Sequence, residues 1–302
     1  MNPDVMFFFE TVISGLMAGV MYALVALGFV LIFKASGVFN FAQGVLALFA
    51  ALTLTGVMEK FGLPAWAGII VTILVMIAVA WLVERLVLRH LVNQEPIILF
   101  MATIGLAYVI EGTGDILWGS NVKVLDIGLP QGASDYLLDS FNLYVEKLEI
   151  VAAVTAALLV AVLAVFFQKT RIGRALRAVA DDHQAALSVG ISLRTIWVVV
   201  WSVAGIVALV AGIMWGTKSG VQFSLSLIAL KALPVLILGG FTSIPGAIVG
   251  GLIIGVGEKI AEIYAGPIIG GAIENWFAYM LALAFLLFRP QGLFGEKIIE
   301  RV

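Results

Sequence analysis

The chain has 302 residues, 62% of them hydrophobic and 12% charged, and a formal net charge of −2. A soluble domain carries about a quarter charged residues because its surface faces water, so lipid must be the solvent around most of this chain. The near-neutral balance gives no basis for a nucleic-acid partner. The lack of cysteine rules out disulfides and thiolate chemistry. With only His90 and His183, a zinc site would have to rely on carboxylates, so neither a metal nor a cofactor is expected.

Apolar stretches long enough to cross the hydrocarbon core fall at about 11–33, 41–58, 65–83, 96–118, 149–167, 195–216, 226–241, 244–264 and 272–288. The fold class is therefore all-α: a polytopic integral membrane protein with eight or nine transmembrane helices. The second and seventh stretches are short and the eighth is rich in glycine, so broken or re-entrant segments belong to the expectation. The start, "MNPDVMFFFE", has no basic residue before its first apolar run, and it reads as a retained span rather than a cleaved signal peptide. No break in composition divides the chain, and residues 1–302 are expected to form a single membrane domain.

Alternating the spans sorts the basic residues by side. Lys34, Arg85, Arg89, Lys169, Arg171, Arg174, Arg177, Arg194, Arg289, Lys297 and Arg301 fall on one side; Lys60, Lys123, Lys147, Lys218 and Lys259 fall on the other. The side with eleven is expected to be cytoplasmic, which puts the N-terminus outside and the C-terminus inside. The loop 119–149 is then periplasmic; its Leu-Pro-Gln-Gly turn signal points to an ordered cap. The spacings Gly15/Gly19, Gly212/Gly216, Gly246/Gly250 and Gly251/Gly255 let helix backbones approach closely within apolar runs. Packing within the chain is the simpler reading of them.

One segment breaks the pattern. "RIGRALRAVADDHQAALSVG", Arg171 to Gly190, is too polar to span a membrane. Leu176, Ala180, His183 and Leu187 recur on one helical face, and Gly190 ends the helix. This predicts an amphipathic helix in a cytoplasmic loop, 168–194, lying in the membrane interface. It is either a basic loop resting on headgroups or a docking helix gripped by a cytoplasmic motor.

Charges inside spans are costly and mark function or pairing. Glu111 and Asp115 lie one turn apart near the outer end of the fourth span, and Lys231 lies about two turns inside the seventh. A Lys231 pair with Glu111 or Asp115 is the economical expectation. "GVFNFAQG" places Asn40 and Gln43 at the start of a short span, and "LGGFTSIPGAIVGG" places Gly239, Gly240 and Ser243 among glycines and a proline. Both patterns suit discontinuous helices beside a solute pathway. "GIMWGTKS" is one residue short of a phosphate-loop spacing and carries no ATP site.

Taken together, "GLMAGVMYALVALGFVLIF" with "GVFNFAQG", "ATIGLAYVIEGTGDILWG", the Arg171–Gly190 segment, "LKALPVLILGGFTSIPGAIVGG" and "RPQGLFG" resemble the permease family of branched-chain amino acid ABC importers over nearly the whole chain. The resemblance implies a multi-pass inner-membrane subunit paired with a second homologous permease. Two ATP-binding subunits would dock below and a periplasmic solute-binding protein above. It also implies that Ala185, Ala186 and Gly190, with Arg174 and Arg177, form the ATPase-coupling helix. Asn40, Gln43, Glu111, Asp115, Lys231, Gly239, Gly240 and Ser243 would flank the substrate pathway. Glu111 and Asp115 depart from the family's usual amide and apolar residue, which leaves a related small polar solute beside a branched-chain amino acid. The chain is expected to be a transporter subunit and not an enzyme, since no nucleophile accompanies the Glu111/Asp115 carboxylates. The other reading is a stand-alone channel or secondary transporter for a small solute such as urea or an amide.

Overall fold

A computed structural model describes residues 3–91, 94–141, 143–181 and 183–295. The elements in chain order are α1 (Pro3–Ser36), α2 (Gln43–Phe61), α3 (Ala65–Leu86), α4 (Pro96–Trp118), α5 (Asp135–Phe141), α6 (Lys147–Lys169), α7 (Arg171–Asp181), α8 (His183–Ser188), α9 (Leu193–Ser219), α10 (Ile228–Gly239), α11 (Ile244–Ile260), α12 (Gly266–Ile269) and α13 (Glu274–Phe288). No strand occurs among the described residues; two isolated bridges join Lys123 to Val221 and Ala133 to Glu146. Among the described residues, seven helical stretches are long and apolar enough to cross a membrane, and Phe223–Gly239 and Glu274–Phe288 are shorter apolar ones. The fold is a polytopic all-α membrane protein. The stretch expected at 244–264 is a longer run, Ile244–Ile269, in which a π-helical turn at Ala261–Ala265 links α11 to α12.

The chain divides into two compact units: Leu27–Ile127 with Leu158–Ile228, and Met1–Ala26 with Gly128–Ala157 and Ala229–Val302. The first is built around α2. Every residue from Gln43 to Val57 is buried, which is what a helix apolar on all sides requires. It packs against α3, α4 and α9. The exposed faces of α3 and α4 carry large apolar side chains such as Trp66, Leu74, Met101 and Val109, as lipid-facing surfaces do. At the α2/α9 contact, Gly212 lies against the Ala47 carbonyl.

In the second unit, glycines decide how helices approach. A Cβ on Gly15 would lie 2.6 Å from the Val256 Cα, and one on Gly19 would run into the Gly251 carbonyl. The reverse holds for Gly251 and Gly255 against Gly19 and Gly15. Two of the spacings read in sequence are therefore the two halves of one contact between α1 and α11. Gly246 and Gly250 form a similar contact with Gly239 and Val235 of α10. Lys147 donates to Asp135 at 2.8 Å beside α5, and that hydrogen bond holds the Asp135 carboxyl below its ordinary range.

Because the α1/α11 contact is backbone on backbone, it has no side chain that could move aside. Gly19→Val is expected to destabilise the protein by about 3 kcal/mol, the upper end for overpacking. Gly112→Ala, where nothing lies within 4 Å of the new methyl group, should cost nothing and stabilise α4 by up to about 1 kcal/mol. Thermal unfolding of both variants in detergent measures the difference.

Candidate functional site

Asn40 and Gln43 occupy the turn between α1 and α2, and both are completely buried. Asn40 Oδ1 accepts from the Ala42 N–H at 3.1 Å, a local turn that leads the backbone into α2. Gln43 Nε2 makes a long hydrogen bond, 3.5 Å, to the Ala204 carbonyl of α9. Its amide occupies the space left by the missing side chain of Gly28. Asn40 Nδ2 and Gln43 Oε1 have no partner among the described residues. Each such buried polar atom costs about 1–3 kcal/mol.

Thr103 of α4 pins this turn. Its hydroxyl accepts from the Phe41 N–H at 3.1 Å and donates to the Phe100 carbonyl at 2.8 Å. Phe39 stacks on Phe29 with ring centroids 4.9 Å apart. Sequence reasoning did not single out Thr103. A threonine inside an apolar span reads as an ordinary side chain bonded to its own helix, and only the fold brings the Asn40 loop to it.

Lys231 does not pair as expected. Its Nζ donates to Glu258 Oε1 of α11 at 2.5 Å and to the Glu274 carbonyl at 3.2 Å. Tyr22 donates to the same Glu258 oxygen at 3.3 Å, and Lys259 pairs with Glu274 at 3.2 Å. Glu258 is 1% exposed and its second oxygen has no partner among the described residues. Glu111 is half-buried and Asp115 exposed on α4, and neither forms an ion pair among the described residues. The correction has a simple cause: depth along a span matches Lys231 to several carboxylates, and depth alone does not choose the neighbouring helix.

Gly239, Gly240 and Ser243 form the α10–α11 turn. Ser243 Oγ accepts from the Gly246 N–H at 3.0 Å, capping α11, and Gly240 takes a left-handed φ of 100°. The closing "RPQGLFG" segment folds back onto this turn, with Leu293 N–H to the Leu238 carbonyl at 2.8 Å and Phe294 N–H to the Gly239 carbonyl at 3.1 Å. Two motifs far apart in sequence are thus one structural tie.

The polar segment is helical as α7 and α8, with residue 182 outside the described residues and the side chains of His183 and Ala185 likewise. Thr170 caps α7 by accepting from the Gly173 N–H at 2.9 Å. Gly173 lies so close to the Phe166 and Phe167 carbonyls that no side chain fits there. The buried face is Gly173, Leu176, Val179 and Ala186. The Leu176/Ala180/Leu187 face read from spacing holds at Leu176 only in part, since Ala180 is half-buried and Leu187 is 49% exposed. Arg174 and Arg177 are exposed. At the end of α8, Ile191 N–H bonds to the Ala186 carbonyl and Gly190 N–H to that of Leu187, both at 3.0 Å. With Gly190 at φ 83°, this is a Schellman stop. Lys297 and Arg301 lie outside the described residues.

The chain is a many-helix membrane bundle with a polar, capped helical segment, α7–α8, between the spans α6 and α9. The family described as "Branched-chain amino acid transport system / permease component" matches residues 11–289, and the chain belongs to that family. It is 29% identical over 311 residues, covering 99% of this chain and 100% of the relative, to the high-affinity branched-chain amino acid transport system permease protein BraD of Pseudomonas aeruginosa. It is 27% identical over 317 residues, covering 100% of both chains, to the permease protein LivH of Salmonella typhimurium. Among solved structures it is similar to PsaBC from Streptococcus pneumoniae in complex with Fab, at 14% identity and a TM-score of 0.49, covering 91% of this chain and 89% of that one.

Removing Lys231 leaves Glu258 buried without a counter-charge, so Lys231→Met is expected to cost about 3 kcal/mol. Adding Glu258→Gln should recover most of it, whereas adding Glu111→Gln should recover nothing. A double-mutant cycle on thermal unfolding in detergent separates the two pairings.

Proposed function

We propose that this chain is the multi-pass inner-membrane permease subunit of an ATP-driven importer of branched-chain amino acids or a closely related small solute. It works beside a second homologous permease, two ATP-hydrolysing subunits on the cytoplasmic side and a periplasmic solute-binding protein. Family membership and the names borne by its full-length relatives support the substrate class. The observation that carries the reading is the α7–α8 segment: α7 is capped by Thr170 with Arg174 and Arg177 exposed, and α8 is stopped at Gly190 just before α9.

The mechanism follows from how that segment is tethered. The Thr170 cap and the Gly173 contact fix α7 to the end of α6, and α7 also packs on α9. A helix held at both ends passes a displacement to both spans rather than absorbing it. When the ATPase subunits close, Arg174, Arg177 and the Ala185–Ala186–Gly190 stretch receive the push. The spans then shift and expose a path for the solute.

Asn40 and Gln43 are assigned to that path. Each holds one unpartnered amide atom, and a polar solute passing the opened turn would satisfy it. Gly239, Gly240 and Ser243 give the α10–α11 turn its shape, and Lys231 sits in a neutralised network. Glu111 and Asp115 remain candidates for the outer part of the path.

Reconstituted with its partners, the Arg174→Glu/Arg177→Glu variant should lose solute-stimulated ATP hydrolysis at least about tenfold while its thermal unfolding stays within about 0.5 kcal/mol, as for other surface changes. Unchanged stimulation in a well-assembled complex would show that α7–α8 is not the coupling element.

A further inference from the structure

Within the first unit, α3 and α4 both pack on α2 rather than on each other, and a slot of about 450 Å³ runs between them. Val79 and Val87 bound its α3 wall, Ala102 and Thr113 its α4 wall, and Phe49 of α2 forms the floor. Phe49, Val83 and Ile110 are buried, whereas Leu82, Leu86 and Val109 are exposed. The slot therefore opens sideways, where a spanning helix meets lipid. Thr113 brings its one polar side chain among the described residues, and that hydroxyl donates to the Val109 carbonyl at 2.7 Å. What enters the slot is hydrocarbon.

Its dimensions choose among hydrocarbons. From Ala102 to Thr113 it runs about 16 Å by helical rise, about the depth of one leaflet of a core roughly 30 Å thick. Spread over that length, the volume gives a bore about 6 Å across, too narrow for a helix of about 10–12 Å with its side chains. A single acyl chain fits both measures. The end at Val87 also carries a cation. Arg85 follows Leu82 by three residues and so neighbours it on the α3 surface. Its guanidinium lies 4.9 Å from the centroid of the Trp81 ring. Whereas Arg89 pairs with Glu84 at 3.5 Å, Arg85 forms no ion pair with Glu95 or any other carboxylate among the described residues. Tryptophan and a basic residue at the end of a span mark headgroup level, and phosphate is the headgroup acceptor that suits a guanidinium.

We propose that this slot is a binding site for one glycerophospholipid. One acyl chain lies between α3 and α4 over Phe49, the phosphodiester lies on Arg85 beside Trp81, and the second chain stays in the surrounding bilayer. Through the bound chain, α3 and α4 gain the dispersion contacts that they do not make with each other. The lipid thus completes the packing around α2. Nothing in this site depends on the importer reading; it needs only a bilayer around the chain.

The test places the full-length chain in nanodiscs doped with phosphatidylglycerol, or with diacylglycerol of the same chains, carrying a diazirine halfway along one chain. After illumination, mass spectrometry locates the labelled peptides. Phosphatidylglycerol should label the slot walls in clear excess over Val154, Leu158 and Val162, which are exposed on α6. Gly105 lines the slot, and a Cβ there meets nothing within 4 Å. Gly105→Phe should therefore fill the slot without disturbing the fold and cut its labelling about fivefold or more, the low end of what overpacking an occupied site costs. Gly112→Phe, equally free of contacts but not lining the slot, should label as the wild type does. The wild type should favour phosphatidylglycerol over diacylglycerol about threefold, as for an exposed charge pair, and Arg85→Gln should erase that preference. Equal labelling of the slot and α6, wild-type labelling of Gly105→Phe, or the same loss in Gly112→Phe overturns the site. Equal labelling by the two lipids in the wild type overturns the phosphate contact. The same experiment on the chain assembled with its permease partner should give the same labelling; its disappearance there would hand the slot to a protein neighbour and overturn the lipid assignment.

Discussion

Lipid gives transmembrane helices no hydrophobic reason to touch, because the tails are as apolar as leucine. Association must come from close backbone approach and a few polar contacts. In this chain that constraint settles on glycine pairs. Gly15 and Gly19 of α1 meet Gly251 and Gly255 of α11, and Gly239 of α10 meets Gly246 and Gly250. Three helices are thereby held at distances where any side chain would have to displace main chain. The closing segment adds two backbone hydrogen bonds to the same turn. A unit tied in this way deforms little within itself and is suited to moving as a body.

Polar groups inside such a bundle are few, and their arrangement separates structure from function. The Lys231–Glu258 pair, with Tyr22 and Glu274 around it, neutralises its own charge across α10, α11 and α1. It ties α10, α11 and α1 to one another. Asn40 and Gln43 are different, since each leaves one amide atom unpartnered in a turn held by Thr103. In the proposed reading these two atoms go to the passing solute. The α7–α8 segment belongs to neither group: its Arg174 and Arg177 are exposed, and in the proposed reading the ATPase subunits dock there.

Spans were legible because burial in lipid demands long apolar runs; the stretch expected at 65–83 is the helix Ala65–Leu86 and that at 96–118 is Pro96–Trp118. Glycine spacing disclosed close packing but not which pairs meet, since GxxxG specifies a face and not a partner. The Arg171–Gly190 helix and its stop at Gly190 could be read from composition and a single residue with left-handed preference. Its buried face was displaced toward Gly173 and Val179, because glycine scores as neither apolar nor polar although it packs here against the end of α6. Glu258 escaped notice for a related reason. Next to Lys259 at the end of an apolar run it looks like an interfacial charge, whereas the π-helical turn that follows keeps the chain helical past it. Thr103 is an ordinary span residue until the fold brings the turn after α1 to it.

In the proposed reading the bundle is driven from outside, through α7–α8. Uptake of labelled leucine into proteoliposomes, with the chain alone and then with its permease partner, ATPase subunits and solute-binding protein, tests it most directly. Accumulation against a gradient only in the complete assembly, and only with ATP on the ATPase side, is the predicted result. Full-rate uptake by the chain alone without nucleotide would contradict it.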